Sequence, residues 1–194
     1  MPLVTVEVES DAAVLAASVV DVGQFATVYD RHVSALLRYA ASRMGAETAE
    51  DLVSETFLVA FRLRARFDQR YASARPWLLG ILTNMISRHR RRERAYLRQL
   101  DALAAPRPVD WQSELVDELA ADAVRPAIRA ALARVPARDR DALLLVVVGE
   151  LSYAEAAEAM RVPIGTIRSR VSRARQRLRR LLGDVMGQAG GEVR

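Results

Sequence analysis

Between Arg161 and Leu182 the chain carries eight arginines and no acidic residue. Ile164, Ile167, Val171, Ala174, Leu178 and Leu181 recur there at alternating intervals of three and four, which puts all six on one face of a helix. The other faces are almost entirely arginine: Arg168, Arg170, Arg173, Arg175, Arg177, Arg179 and Arg180. A solvated helix normally mixes charge signs, because like charges at i,i+4 repel. A one-sign face therefore implies an external counter-charge, and a phosphate backbone supplies one.

The residues before this helix sharpen that reading. Ser152 and Glu155 form a capping box, so a short alanine-rich helix should start at Tyr153 and end near Met160. Arg161, Val162 and Pro163 make a turn, since Pro163 suits a first helical turn and not a helix interior. Gly183 is the expected stop of the second helix. Helix, turn and basic helix fit a DNA-binding helix-turn-helix. Thr166, Arg168, Ser169 and Arg170 lie near the start of the second helix, where such a motif meets base edges, and Arg173 and Arg175 complete the candidate set. The competing reading is a basic amphipathic helix that pairs with an acidic protein or a membrane surface.

An apolar fraction of 51% with only 6% aromatics, much of it alanine, points to a helix-on-helix core. The length of 194 residues allows two small domains. The formal charge is +5, and all 29 basic residues are arginine, each a planar fork of donors. There is no cysteine, and there are only two histidines, which rules out disulfides and the usual zinc sites. His32 falls on an apolar helix face and reads as a core residue, while His89 sits inside an arginine run. Glu50 and Asp51 point in different directions around a helix, and no phosphate loop or nucleophile elbow occurs. No catalytic residue, metal or cofactor is expected. No apolar run approaches the ~20 residues that span a bilayer. With no secretion signal either, the expectation is a soluble cytoplasmic protein without membrane insertion.

Taken in order, residues 1–22 read as a mobile tail with a helical piece near Ala12 to Val20. A helical domain is expected over 23–100. Phe25, Val28, Tyr29, His32, Val33, Leu36, Leu37, Ala40 and Met44 line its first helix, which Gly45 ends. The second helix opens on Glu47, Glu50 and Asp51 and buries Leu52, Val53, Thr56, Phe57, Ala60 and Leu63. Phe67 to Arg75 breaks the pattern as a loop, and Pro76 starts a third helix with Trp77, Leu78, Ile81, Leu82 and Met85 as core. From Arg62 to Arg98 there are eleven arginines against two acids, a second basic patch. Opening a duplex needs a place for an unstacked base and cations for the freed backbone. A loop with Phe67 and Tyr71, flanked by arginines, could supply both; the competing reading is that Tyr71 packs into the core.

Residues 101–123 are acidic and carry Pro106 and Pro108, so they read as a linker. Fully extended, its ~22 residues reach on the order of 70 Å. A second domain follows over 124–183. Ile128, Ala131, Leu132 and Val135 suggest one helix, ended by Pro136. Ala137 to Val148 contains LLLVVV, a strand by propensity and a buried helix by its neighbours. Residues 184–194 read as a disordered tail.

LSYAEAAEAMRVPIGTIRSRVSRARQRLR resembles the C-terminal DNA-binding region of bacterial RNA polymerase sigma factors of the extracytoplasmic-function type. Leu151, Ser152, Tyr153, Glu155, Ala157, Pro163, Gly165, Thr166, Ser169, Arg170, Arg173 and Ala174 carry the match, and Ala156 departs from it where the family has a larger aliphatic. AEDLVSETFLVAF, and RPWLLGILTN followed by the arginine run, resemble the family's promoter-melting region.

The resemblance implies an all-α fold of two helical domains joined by a flexible linker. It implies a subunit that binds core RNA polymerase and directs promoter recognition and transcription initiation. Asp51, Leu52, Glu55 and Phe57 would then face the clamp of the largest polymerase subunit. The loop would hold a base flipped from the −10 element. Tyr71, Arg75, Asn84, Arg88, Arg90 and Arg91 would contact the −10 region. The C-terminal helix-turn-helix would read the −35 element beside the flap of the second-largest subunit. Trp111 would anchor the linker near the RNA path or pack on a neighbouring domain, and an anti-sigma factor is a further expected partner. The alternative is a stand-alone helix-turn-helix regulator with an N-terminal sensing or dimerisation domain, although the basic patch at Arg88 to Arg98 has no purpose there. A non-DNA adaptor for acidic proteins is the third reading.

Overall fold

The computed structural model describes residues 9–103 and 124–189. The first residues of the expected tail, most of the expected linker with Trp111, and residues 190–194 lie outside the described residues. Eight α-helices follow one another: α1 (Asp11–Ala17), α2 (Phe25–Ala41), α3 (Ala46–Leu63), α4 (Arg75–Leu103), α5 (Val124–Ala133), α6 (Ala137–Val147), α7 (Tyr153–Met160) and α8 (Ile164–Ala189). Short 3-10 turns at Val22–Gln24 and Arg64–Arg66 precede α2 and follow α3. The fold is all-α, with no strand among the described residues. The chain divides into two compact units between residues 104 and 105.

In the first unit α2, α3 and α4 pack around Val28, Leu36, Tyr39, Val53, Ala60, Leu78, Leu79, Leu82 and Ile86. Tyr39 was not on the expected face. It is buried because its hydroxyl finds Thr83 Oγ1 on α4 at 2.8 Å and accepts from Arg43 at 2.8 Å. Such a bond removes the penalty of burying the phenol oxygen. Gly45 does not end α2. The helix stops at Ala41, and Gly45 is the extended residue that opens α3.

The helical piece expected near Ala12 to Val20 is α1, and the expectation that it belongs to a mobile tail is corrected, because the helix is docked against the unit's core. Ser10 accepts from the Ala13 N–H and caps α1, while Val14 and Leu15 are fully buried in the unit's core. Asp11 is buried as well, tied to Arg31 and His32 of α2. His32 is thus a core residue held by a carboxylate, with Nε2 2.6 Å from Asp11 Oδ2.

In the second unit the LLLVVV stretch is helical as far as Val147, and Leu143, Leu144 and Leu145 are buried in it. Gly149 closes α6. A Cβ there would stand 2.5 Å from the Leu145 carbonyl oxygen, so no larger residue fits without a backbone shift. Ser152 and Glu155 form both halves of the capping box that starts α7. Arg161 ends α7 in the left-handed region at φ 52°, where its N–H and that of Val162 satisfy the last carbonyls. Ala156 is fully buried. Gly183 does not stop α8, which runs on to Ala189; the residues expected as a tail are helical up to that point. An exposed glycine costs a helix only ~1 kcal/mol relative to alanine.

Candidate nucleic-acid and polymerase surfaces

Helix α8 is laid across its unit by Ile167, Val171 and Ala174, all buried. At 100° per residue, the stripe sorts the remaining side chains into rows. Arg168, Ser172, Arg175, Gln176 and Arg179 share a shallow groove with Tyr153 at the start of α7. Arg173 lies on the opposite flank and is engaged: Nε and Nη2 donate to the Asp139 carboxylate of α6 at 3.1 and 2.9 Å. That bond, with the carboxylate's charge, raises the Arg173 pKa further. Arg170 sits one turn earlier on that flank and is half-buried. Ser169 is exposed, and its hydroxyl donates to the Thr166 carbonyl at 2.9 Å.

Of the six candidates on α8, Arg168 and Arg175 are therefore brought together in the groove, whereas Arg173 is already paired within its unit. Tyr153, Ser172, Gln176 and Arg179 join the groove beyond the residues expected from the sequence. For Ser172, Gln176 and Arg179 the available signal is their spacing along α8 from Arg168 and Arg175, since neighbours on one helix face recur at about three to four and seven residues; Tyr153, on α7, carries no such signal.

In the first unit the Phe67 to Arg75 loop is pinned by aromatic packing. Phe67 is buried, with its ring centroid 5.2 Å from that of Trp77. It is therefore corrected as a stacking surface for a base. Tyr71 remains outside, 38% exposed, after a turn in which its N–H donates to the Asp68 carbonyl at 3.1 Å. Arg70 folds back on Asp68, and its guanidinium bonds hold that carboxyl down to about 2.

On α4, Asn84, Arg88 and Arg91 are exposed and recur at intervals of four and three, away from buried Leu78, Leu82 and Ile86. Trp77 lies two turns before Asn84 on the same side. Two candidates fall elsewhere. Arg90 donates to the Arg43 carbonyl and is half-buried. Arg75, nine residues before Asn84, starts on the opposite side of the helix with its Nε buried.

The four candidates on α3 split in the same way. Asp51 and Glu55 are exposed, one turn apart. Leu52 and Phe57 are each 5% exposed and are corrected as outward-facing residues. Phe57 packs its ring against Tyr29 of α2, with centroids 4.7 Å apart. The apolar side chain actually displayed beside Asp51 and Glu55 is Leu58, 58% exposed. An apolar residue off the buried stripe was the available sign of it. Among the described residues no helix is long and apolar enough to cross a membrane, and no acid or histidine cluster suits a metal.

Residues 28–96 match the family model described as Sigma-70 region 2, and residues 125–178 match that described as Sigma-70, region 4. The chain is 36% identical over 147 residues to the ECF RNA polymerase sigma factor SigC of Mycobacterium tuberculosis, covering 73% of this chain and 74% of that protein. It is 33% identical over 177 residues to the ECF RNA polymerase sigma factor SigM of the same organism, covering 90% and 85% respectively. Among solved structures it is similar to the sigma factor RpoE of Bartonella quintana, in complex with the anti-sigma factor NepR, with a TM-score of 0.58 and 30% identity. That match covers 79% of this chain and 95% of RpoE.

Proposed function

Because the chain belongs to the extracytoplasmic-function family of RNA polymerase sigma factors, we propose a division of labour among its surfaces for the promoter recognition that such a subunit directs. Sigma factors are DNA-recognition subunits rather than enzymes. The groove face of α8 reads the −35 element. Arg168 and Ser169 stand near its N-terminal end, where base edges are met, and Arg175 and Arg179 sit on phosphates. Tyr71, Asn84, Arg88 and Arg91 take the −10 element, with the Tyr71 ring offering a face to an unstacked base. Asp51, Glu55 and Leu58 meet the clamp of the largest polymerase subunit, and the helix-turn-helix unit lies at the flap of the second-largest. Residues 101–123 tether the two activities. The protein works in the cytoplasm, and an anti-sigma factor is its expected regulator.

One observation carries this reading: each of the two units has its own exposed arginine row, on α4 in one and on α8 in the other. A stand-alone regulator leaves the α4 row without a use. Pull-down of the full chain with core RNA polymerase tests the proposal. Retention of core, lost on reversing the charge of Asp51 and Glu55, is the expected result. Retention that ignores both changes overturns the clamp assignment.

A further inference from the structure

We propose that α1 is a brace for the loop that presents Tyr71, with Asp11 as its positioning residue; the proposal rests on the reading of that loop as the −10 base site. The connection from Arg64 to Ala74 is tied to α1 at both ends. At its start, Arg64 Nε donates to the carbonyl of Ser18, the residue that ends α1, at 3.1 Å. The same guanidinium lies 3.9 Å from the centroid of the Phe61 ring. At its end, the Asp11 N–H donates to the Ala72 carbonyl at 3.0 Å, and Asp11 Oδ2 accepts from the Ala74 N–H at 2.8 Å.

Asp11 is itself anchored to α2. Its Oδ1 accepts from Arg31 at 2.9 Å, and His32 Nε2 is 2.6 Å from its Oδ2. Arg31 also donates to the Glu9 carbonyl at 2.8 Å. A helix as short as α1 is unstable alone, so its shape comes from this docking. Burying a carboxylate is a weak route to stability, because desolvation offsets most of the attraction. What the arrangement does yield is one fixed backbone path for Ala72 to Ala74. With Phe67 buried on Trp77 at the other side of the turn, Tyr71 is the aromatic residue left outside, held in register with the start of α4.

The test uses holoenzyme reconstituted from the full chain and core polymerase, transcribing double-stranded promoters randomised over the −10 region, with transcripts counted by sequencing. Tyr71→Ala is expected to flatten the preference at one −10 position by about tenfold, the size of one lost base contact. Asp11→Asn should flatten that same position while the −35 preference and core binding stay at the wild-type level. Deuterium exchange at the Tyr71 and Ala74 amides should rise in Asp11→Asn by more than at the core amides of α2, α3 and α4, which follow only the change in overall stability. If Asp11→Asn keeps the preference that Tyr71→Ala removes, the brace is wrong and the loop reading stands. A uniform loss on every sequence reduces α1 to a structural element and also overturns the brace. If Tyr71→Ala changes no −10 preference, the loop reading itself fails and takes the brace with it. Should Asp11→Asn not fold, Arg64→Ala cuts the tie at the loop's other end; an unaltered preference in that variant overturns the brace equally.

Discussion

The Arg173 guanidinium of α8 is clamped to the Asp139 carboxylate of α6 by two hydrogen bonds of 2.9 and 3.1 Å. Its charge already has a counter-ion inside the unit, whereas Arg175 on the groove side has none among the described residues. The two should therefore respond differently to salt. Arg175→Ala is expected to lower the slope of log affinity against log salt by about 1, as for one lost phosphate contact. Arg173→Ala should leave the slope near the wild-type value and lower the melting temperature of the second unit instead. Titrating holoenzyme binding to promoter DNA over a range of salt concentrations checks both. Equal slope changes for the two variants would place Arg173 on the DNA as well.

Arg168 stands in the first turns of α8 and opens into the groove beside Tyr153. An arginine there can take two acceptors of guanine at once. Arg168→Ala should weaken binding to the preferred −35 sequence by ~1–3 kcal/mol and relax selectivity at one base pair. Competition binding against a panel of singly substituted −35 elements reads this directly. An equal loss on all sequences would make Arg168 a phosphate contact.

On α3 the neighbours Glu55 and Phe57 should fail in opposite ways. Phe57→Ala leaves a cavity against Tyr29 and should destabilise the first unit by ~3–5 kcal/mol. Glu55→Arg alters an exposed face, so it should reduce association with core polymerase while the denaturation midpoint holds. Denaturant melts and polymerase pull-down of the same two variants separate stability from docking. Unchanged association in Glu55→Arg means that another surface meets the polymerase.

Burial alone would raise the Asp11 carboxyl, but hydrogen bonds from His32, the Ala74 N–H and Arg31 overcome it and hold the group well below the usual carboxylate range. A depressed folded pKa stabilises above the unfolded value of about 3.9, and that stabilisation drains away as pH falls toward the folded value. The melting temperature of wild type should therefore exceed that of Asp11→Asn near neutrality, and the gap should shrink as pH drops below about 4. A gap independent of pH between neutrality and pH of about 3 would contradict the assignment of Asp11 as an ionised, bonded carboxylate.

The second unit was largely legible in the chain because its signals are local. Ser152 and Glu155 specify the α7 start within four residues, and the three-four spacing on α8 fixes its buried face within a few turns. The first unit hid what depends on distant partners. Asp11 meets His32 from 21 residues away and the Ala74 N–H from 63, so its segment looked like a tail. The pattern of α3 points Leu52 and Phe57 both to a buried stripe and, by resemblance, to a polymerase face. Packing against α2 and α4 settled that conflict in favour of the core, and left Leu58 outside.

Footprinting of promoter DNA by the purified full chain, with and without core RNA polymerase, bears most directly on the central claim. Promoter-selective protection over a −35 and a −10 element is expected only when core is present. Equally selective protection by the chain alone, or a failure to join core at all, would contradict it.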